Sequence, residues 1–318
     1  MGSFLHALRV FGDHLAAVHW QLLGIALALH VVRLGLRAIA WQTILKASYP
    51  RSRIPLLTVF GAYVAGVGIN SIAPGRAGDL VKLYLVKHRV PESRYATLAP
   101  TLVVETAFDA IVGAALLGWA FSIGVLPTHQ VYSRLPTVDW KILLRHEHAT
   151  AIGLIFVAAA LLIAFILFLE HGEDLRARIS QGFAIFRRPR RLLFGVLVPQ
   201  AASWVLRIAA IYYFLRAFDV HASVHNALLA QVVDSLSTLF PATPGGAGTK
   251  QGLIVFLFAG QAVSKSLLLA FSVGMNIATV VLNLALGLTA LLLMARTLSW
   301  RKLRTDASRE QAPAGGAE

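Results

Sequence analysis

The chain has 318 residues, of which 57% are hydrophobic and only 14% charged, and its mean hydropathy is +0.68. Soluble domains carry about 25% charged residues, so the composition excludes an ordinary water-soluble fold and identifies an integral membrane protein. The 29 Lys and Arg against 15 Asp and Glu give a net charge of +14, but a nucleic-acid binder needs such charge on a solvated face, and apolar runs this long leave none. The lack of cysteine excludes a disulfide framework, a thiolate metal site and a cysteine nucleophile.

The N-terminal segment carries Arg9 and Asp13 ahead of an apolar run that is too long for a cleaved signal segment, so this run is expected to be retained. A helical span needs about 20 mainly apolar residues. Five stretches meet that length: about 18–45, 96–124, 149–169, 192–216 and 266–295. Two more, 55–87 and 225–262, are apolar but interrupted, the first by Asn70 through Asp79 and the second by Pro241 through Lys250. After each break the apolar run is too short to cross the hydrocarbon, so both are expected to be re-entrant helical hairpins. The expected fold is all-α: a polytopic transmembrane helical bundle, one membrane domain over residues 1–300, with two Pro/Gly-broken hairpins related as inverted repeats. The polar residues 301–318 are expected to form a disordered cytoplasmic tail.

Cytoplasmic loops are rich in Lys and Arg. Segments 46–54, 82–94 and 170–191 and the tail from Arg296 are basic, whereas 125–148 and 217–224 are poorer in cations. If the first hairpin enters and leaves on the cytoplasmic side, every basic segment lies inside, the second hairpin enters from outside, and the N-terminus is outside. In the rival topology, with 55–73 as a full span and the N-terminus inside, the cations of 46–54 are stranded outside.

The two interruptions echo each other. Pro74-Gly75-Arg76-Ala77-Gly78 and Pro244-Gly245-Gly246-Ala247-Gly248 share four of five residues, 170 positions apart. Paired Gly/Pro-broken segments in the two halves of a transporter point to a substrate site near the midplane. A helix that restarts just after such a turn exposes free N–H groups and a positive end, which attract anions. Arg76 and Lys250 add full charges at those two places.

An ionisable side chain at the centre of a span costs about 2.5–3.5 kcal/mol on translocon scales, so each requires an explanation. Arg33 and Arg37 lie four apart on one helix, Glu105 and Asp109 four apart on another, Arg207 is central in its span, and Asp234 is in the second hairpin. With Arg76, Asp79 and Lys250 the intramembrane set is five cations and four acids. Structural ion pairing is one use for them; an excess cation beside two positive helix ends suits a lipid phosphate. Asn70, Asn276 and Asn283 suit either a cavity lining or helix–helix hydrogen bonds. Trp20, Trp41, Trp119 and Trp300 read as interfacial anchors. His146-Glu147-His148 lacks metal-ligand spacing, and Gly245 through Gln251 departs from a P-loop at the residues that contact phosphate and magnesium. No cofactor, metal site or catalytic constellation is expected.

Asn70 to Asp79 followed by Lys82, Glu105 with Asp109, Arg37 with Trp41, and the late Pro-Gly-Gly-Ala-Gly turn together resemble the lysylphosphatidylglycerol synthase transmembrane-region family, also called flippase-like or UPF0104, over about residues 20–295. The resemblance implies transport of a lipid across the inner membrane. In larger members of that family a separate soluble domain makes the aminoacylated lipid, and no such domain is expected after residue 300. Thr106 and Gln251 depart from the charges expected at their places, which suggests a different lipid or coupling. The site expected on this basis comprises Arg37, Asn70, Arg76, Asp79, Glu105, Asp109, Arg207, Asp234 and Lys250, with Pro74, Gly75, Gly78, Pro244, Gly245, Gly246 and Gly248 forming the turns. The expected partner is a membrane lipid, with lipid-biosynthetic enzymes as candidate protein partners and no nucleic acid. The rival classes are an integral-membrane lipid-modifying enzyme using Glu105 or Asp109 as a base, and a non-transporting scaffold.

Overall fold

The computed structural model of the chain describes residues 17–73, 76–90, 93–123, 173–239, 249–258 and 263–297. The expected span 149–169, the turn residues Pro74, Gly75, Pro244, Gly245, Gly246 and Gly248, and the tail 301–318 lie outside them. The described residues are helical, with no strand among them. In chain order they form α1 (Trp20–Ser48), α2 (Leu56–Asn70), α3 (Ala77–Arg89), α4 (Tyr95–Ser122), α5 (Glu173–Gly182), α6 (Pro189–Ala217), α7 (Val224–Leu239), α8 (Thr249–Leu257) and α9 (Lys265–Thr297).

Four of these helices, α1, α4, α6 and α9, are long and apolar enough to cross a membrane. Their outward faces carry Ile25, Val32, Ile111, Val205, Ile277, Val281, Leu288 and Leu292, all exposed in the isolated chain. In a bilayer such side chains meet lipid tails at no cost. The inward stripe of α1 runs Leu23, Ala26, His30, Leu34, Arg37, Trp41, Ile44 and Ser48, a spacing of three or four that keeps one face against the bundle. That face packs most extensively on α6. The chain begins α2 directly after Pro55, whose fixed φ suits a helix start.

α2 and α3 form a close antiparallel pair that depends on two glycines. A Cβ added at Gly66 would meet the Gly78 carbonyl oxygen at 2.6 Å, and one added at Gly78 would run into the Gly66 carbonyl and lie 2.8 Å from Asn70 Oδ1. The Gly78 backbone N–H donates to that same Asn70 oxygen at 2.7 Å. Gly78→Ala should therefore spread the two helices and cost about 1–3 kcal/mol, the usual range for overpacking. A thermal melt in detergent would check this, and a melting temperature equal to wild type would refute it. On its other side α2 packs against α9, where Gly68 faces Gly287 and a Cβ added at Gly68 would sit 3.1 Å from Gly287 Cα.

Within α6 the segment Leu193–Leu197 is wound as a π-helix before the α-helix resumes at Val198. Such wide turns interrupt the ordinary register and recur near functional sites.

Two large apolar clusters, with a third small one of Ala40, Ile44, Ala47, Val104, Ile185 and Val196, hold the bundle together. One gathers Leu23 and Ala26 of α1, Ala120 of α4, Ile211 to Leu215 of α6, and residues of α7, α8 and the first half of α9 up to Met275. The other large one gathers Leu34, Ala38, Trp41 and Leu45 of α1, Val59 to Ala65 of α2, Leu83, Leu85 and Val86 of α3, Leu98 and Leu102 of α4, and Ala290 and Met294 of α9. Around the level where one cluster gives way to the other the four long helices carry the buried polar side chains His30 and Arg37 on α1, Glu105 on α4, Gln200 and Ser203 on α6 and Asn283 on α9, with the partly buried Arg33, Asp109 and Arg207 among them. Gln42, Ser48, Thr97, Thr101 and Ser272 are buried polar side chains nearer the helix ends. The bundle thus has an apolar half on either side of a charged waist.

Candidate functional site

The centre of the waist is Arg37, which is 6% exposed. A guanidinium presents five donors in a fixed plane, and two elements, α4 and α2, supply acceptors for them. Nη1 donates to Asp109 Oδ1 at 2.7 Å and Nη2 to Asp109 Oδ2 at 2.5 Å, a two-pronged contact. Nη2 also donates to Glu105 Oε1, and Nε to the Tyr63 hydroxyl of α2. The Tyr63 hydroxyl in turn donates to Glu105 Oε1 at 3.0 Å. Glu105 and Asp109 reach the same guanidinium because they are one helical turn apart on α4. α6 closes the fourth side: Gln200 Nε2 donates to the Glu105 backbone carbonyl at 3.0 Å, and Trp204 Nε1 donates to Asp109 Oδ1 at 2.9 Å. Glu105 Oε2 is buried with no hydrogen-bond partner among the described residues.

Trp204 also touches a second charged group. The Arg207 guanidinium, one turn further along α6, lies 5.0 Å from the centre of the Trp204 ring, a cation–π contact. Arg207 Nη2 donates to Asp234 Oδ2 of α7, and Lys250 Nζ of α8 donates to Asp234 Oδ1 at 2.5 Å. One carboxylate thus holds two cations, and the indole joins the Arg37 group to the Asp234 group.

A third group sits where α2 meets α3. Lys82 Nζ is 3.0 Å from Asp79 Oδ1, and Arg76 Nε is 3.0 Å from Asp79 Oδ2. Asn70 Nδ2 donates to Asp79 Oδ1 at 3.3 Å while Asn70 Oδ1 holds the Gly78 N–H. Lys82 is 3% exposed, and its ammonium lies 4.3 Å from the centre of the Tyr63 ring, which connects this group to Arg37. Arg76 differs from the rest. Its backbone has φ 59°, in the left-handed region, and its side chain is 66% exposed.

All nine expected site residues therefore fall in three groups linked by two aromatic rings, with Arg76 at the open edge. The pairings add two aromatics, Tyr63 and Trp204, that spacing alone did not single out. Trp204 and Arg207 are three apart on α6, a spacing that places them on one face; an aromatic inside an apolar run carries no other mark. Lys82 completes the Asp79 group. Apart from these groups, His30 Nε2 is 2.9 Å from Asn283 Oδ1, and Asn283 Nδ2 donates to Ser71 Oγ at 3.1 Å. These contacts tie α1, α9 and the end of α2 together at the level of the waist. Here Asn283 serves as a helix–helix hydrogen bond.

Comparison with known proteins is consistent with a membrane bundle of this kind. Residues 4–287 match the family model described as the lysylphosphatidylglycerol synthase TM region. A protein named "UPF0104 membrane protein" from Methanothermobacter thermautotrophicus is 25% identical over 317 residues, covering 91% of this chain and 86% of its own length. No solved structure matches.

Proposed function

From the chain's membership of the lysylphosphatidylglycerol synthase transmembrane-region family, we propose that it is a lipid transporter of the inner membrane, moving a polar, phosphate-containing or isoprenoid-type lipid between leaflets. The observation that carries this reading is the charged waist between two apolar halves. Ionised groups at membrane depth are expensive, and this chain concentrates them where α1, α4 and α6 meet one another and α7 and α8. Such a belt offers a lipid headgroup polar contacts halfway across while its acyl chains stay in the bilayer. The cations hold the phosphate. The acids orient a cationic headgroup or neutralise the empty site.

In this reading the α2–α3 and α7–α8 pairs are the two hairpins, entering from opposite faces. Rocking one half against the other exposes the waist to each leaflet in turn. The basic segments, including the C-terminal tail, face the cytoplasm. The transporter carries out no covalent chemistry itself. The buried, unpartnered Glu105 Oε2 beside Tyr63 is the feature that favours the rival, a lipid-modifying enzyme with Glu105 as base.

Purified protein in liposomes with labelled phospholipids separates the readings. Leaflet exchange without chemical change is expected, and Lys250→Ala should reduce it at least tenfold. Modified lipid would establish the enzyme, and absence of both exchange and modification would leave a scaffold.

A further inference from the structure

Arg33 is the cation of the waist that the acids of the described residues leave over. His30, Arg33 and Arg37 are spaced three and four apart on α1 and so share a face. His30 is held by Asn283, and Arg37 by Tyr63, Glu105 and Asp109. Arg33, between them, makes no hydrogen bond or ion pair with any described residue, and its Nε is shut off from solvent. Burial weighs most against its charge; of its neighbours Arg207 and then Arg37 repel it, while Tyr63 and, less, Asp109 offset them. Arg207 cannot be relieved by Asp234 alone, because Lys250 shares that carboxylate.

The charge balance around Arg33 selects the missing partner. Arg33, Arg37, Arg207 and Lys250 face Glu105, Asp109 and Asp234, four cations against three carboxylates. Lys82 and Asp79 neutralise each other, and Arg76 is at the open edge. Among the described residues one positive charge remains, on a side chain whose planar fork matches a phosphate oxygen pair. A single monoanion balances it. A diphosphate, with two or more negative charges, would overshoot.

We propose that Arg33, backed by Arg207, binds the phosphodiester of a monoanionic phospholipid headgroup in the waist. This deepens the transport reading and rests on it, and it narrows the cargo to phosphodiester lipids over isoprenyl diphosphates. Arg33 is a substrate-binding residue rather than a structural one. Its uncompensated charge costs stability while the site is empty and is balanced when the headgroup enters.

The test is native mass spectrometry of the full-length protein in detergent, titrated with phosphatidylglycerol, with diacylglycerol of the same chains, with farnesyl diphosphate, and with inorganic phosphate. Wild type should bind phosphatidylglycerol at least tenfold tighter than diacylglycerol and tighter than farnesyl diphosphate. Arg33→Gln should abolish most of that preference, leave diacylglycerol binding unchanged, and melt no lower than wild type in lipid-free detergent. Arg33→Lys, which keeps the charge and loses the fork, should weaken phosphatidylglycerol binding three- to tenfold and serves if the Gln variant does not fold. Unchanged preference in the Gln variant, or in the Lys variant if the Gln variant does not fold, overturns the assignment. So does a Gln variant that melts lower with its lipid preference intact. Inorganic phosphate that competes as well as the lipid would move the site from a headgroup to a free anion and overturn the lipid occupant. Absence of leaflet exchange by wild type, with Arg33-dependent binding intact, sinks the transport reading alone. Exchange with binding indifferent to Arg33 sinks only this assignment.

Discussion

Arg37→Gln should be the most damaging single substitution in the waist, costing about 3–5 kcal/mol, the range measured when one partner of a buried ion pair is removed. Two carboxylates and a phenol hydroxyl on two other helices lose their shared donor at once. Glu105 is fully buried and keeps only the Tyr63 hydroxyl among its side-chain partners. The measurement is a melt in detergent together with the reconstituted exchange assay, and both should fall. The double variant Arg37→Gln with Glu105→Gln should recover part of the loss, because the unpaired carboxylate is then gone. The coupling between the two sites should exceed 1 kcal/mol in a double-mutant cycle, as expected for contacting residues. Additive effects would mean that the two side chains do not share a network.

Asp234→Asn is the second. It removes the only carboxylate among the described residues that holds both Arg207 and Lys250. Two cations on different helices would then repel each other with no anion between them, at a cost of about 3–5 kcal/mol. The outcome should differ in kind from that of Arg37→Gln. Loss of an acid raises the positive charge of the waist, so the variant should be restabilised by added anionic phospholipid by more degrees than wild type, while Arg37→Gln should be restabilised less. A melt with and without phosphatidylglycerol reads this directly. Equal lipid-induced shifts in all three proteins would contradict a waist whose net charge sets its affinity for anions.

Much of this arrangement is legible in the residue order. The spacing of Glu105 and Asp109, and the placing of Arg37, Arg207 and Asp234 inside apolar runs, single them out because the bilayer makes every ionised group an exception. The cost of burial is a strong local signal, and it reads directly as helices with a polar face. Which acid meets which cation is set by how helices distant in sequence approach one another, and no spacing rule carries that information. Arg33 and Arg37 look equivalent along α1, yet Arg37 is saturated and Arg33 has no carboxylate partner among the described residues. Tyr63 and Trp204 escape notice for a related reason: a hydroxyl or indole N–H in an apolar run costs little until a charged neighbour is known. Arg76 shows the opposite. Its place in a glycine-rich turn marks it as a charge at a helix start, but the backbone there is left-handed and the side chain lies at the open edge, where Asp79 is its one ion-pair partner among the described residues.

The wide turn at Leu193–Leu197 sets the phase of everything beyond it on α6. Each residue of an α-helix advances the side chains by about 100°, and a π turn takes in one extra residue without lengthening the helix by a full step. Gln200, Trp204 and Arg207 meet α4 and α7 on the angle that this insertion fixes. Were the same residues wound there as a plain α-helix, the extra residue would swing all three side chains by about 100°, carrying Arg207 toward the acyl chains and Trp204 off Asp109. The local irregularity therefore works as a rotational offset: the part of α6 around Gly195 and Val196, packed on Thr43, Ala40 and Ile44 of α1, and the part that carries the indole and guanidinium satisfy two different sets of neighbours along one continuous rod.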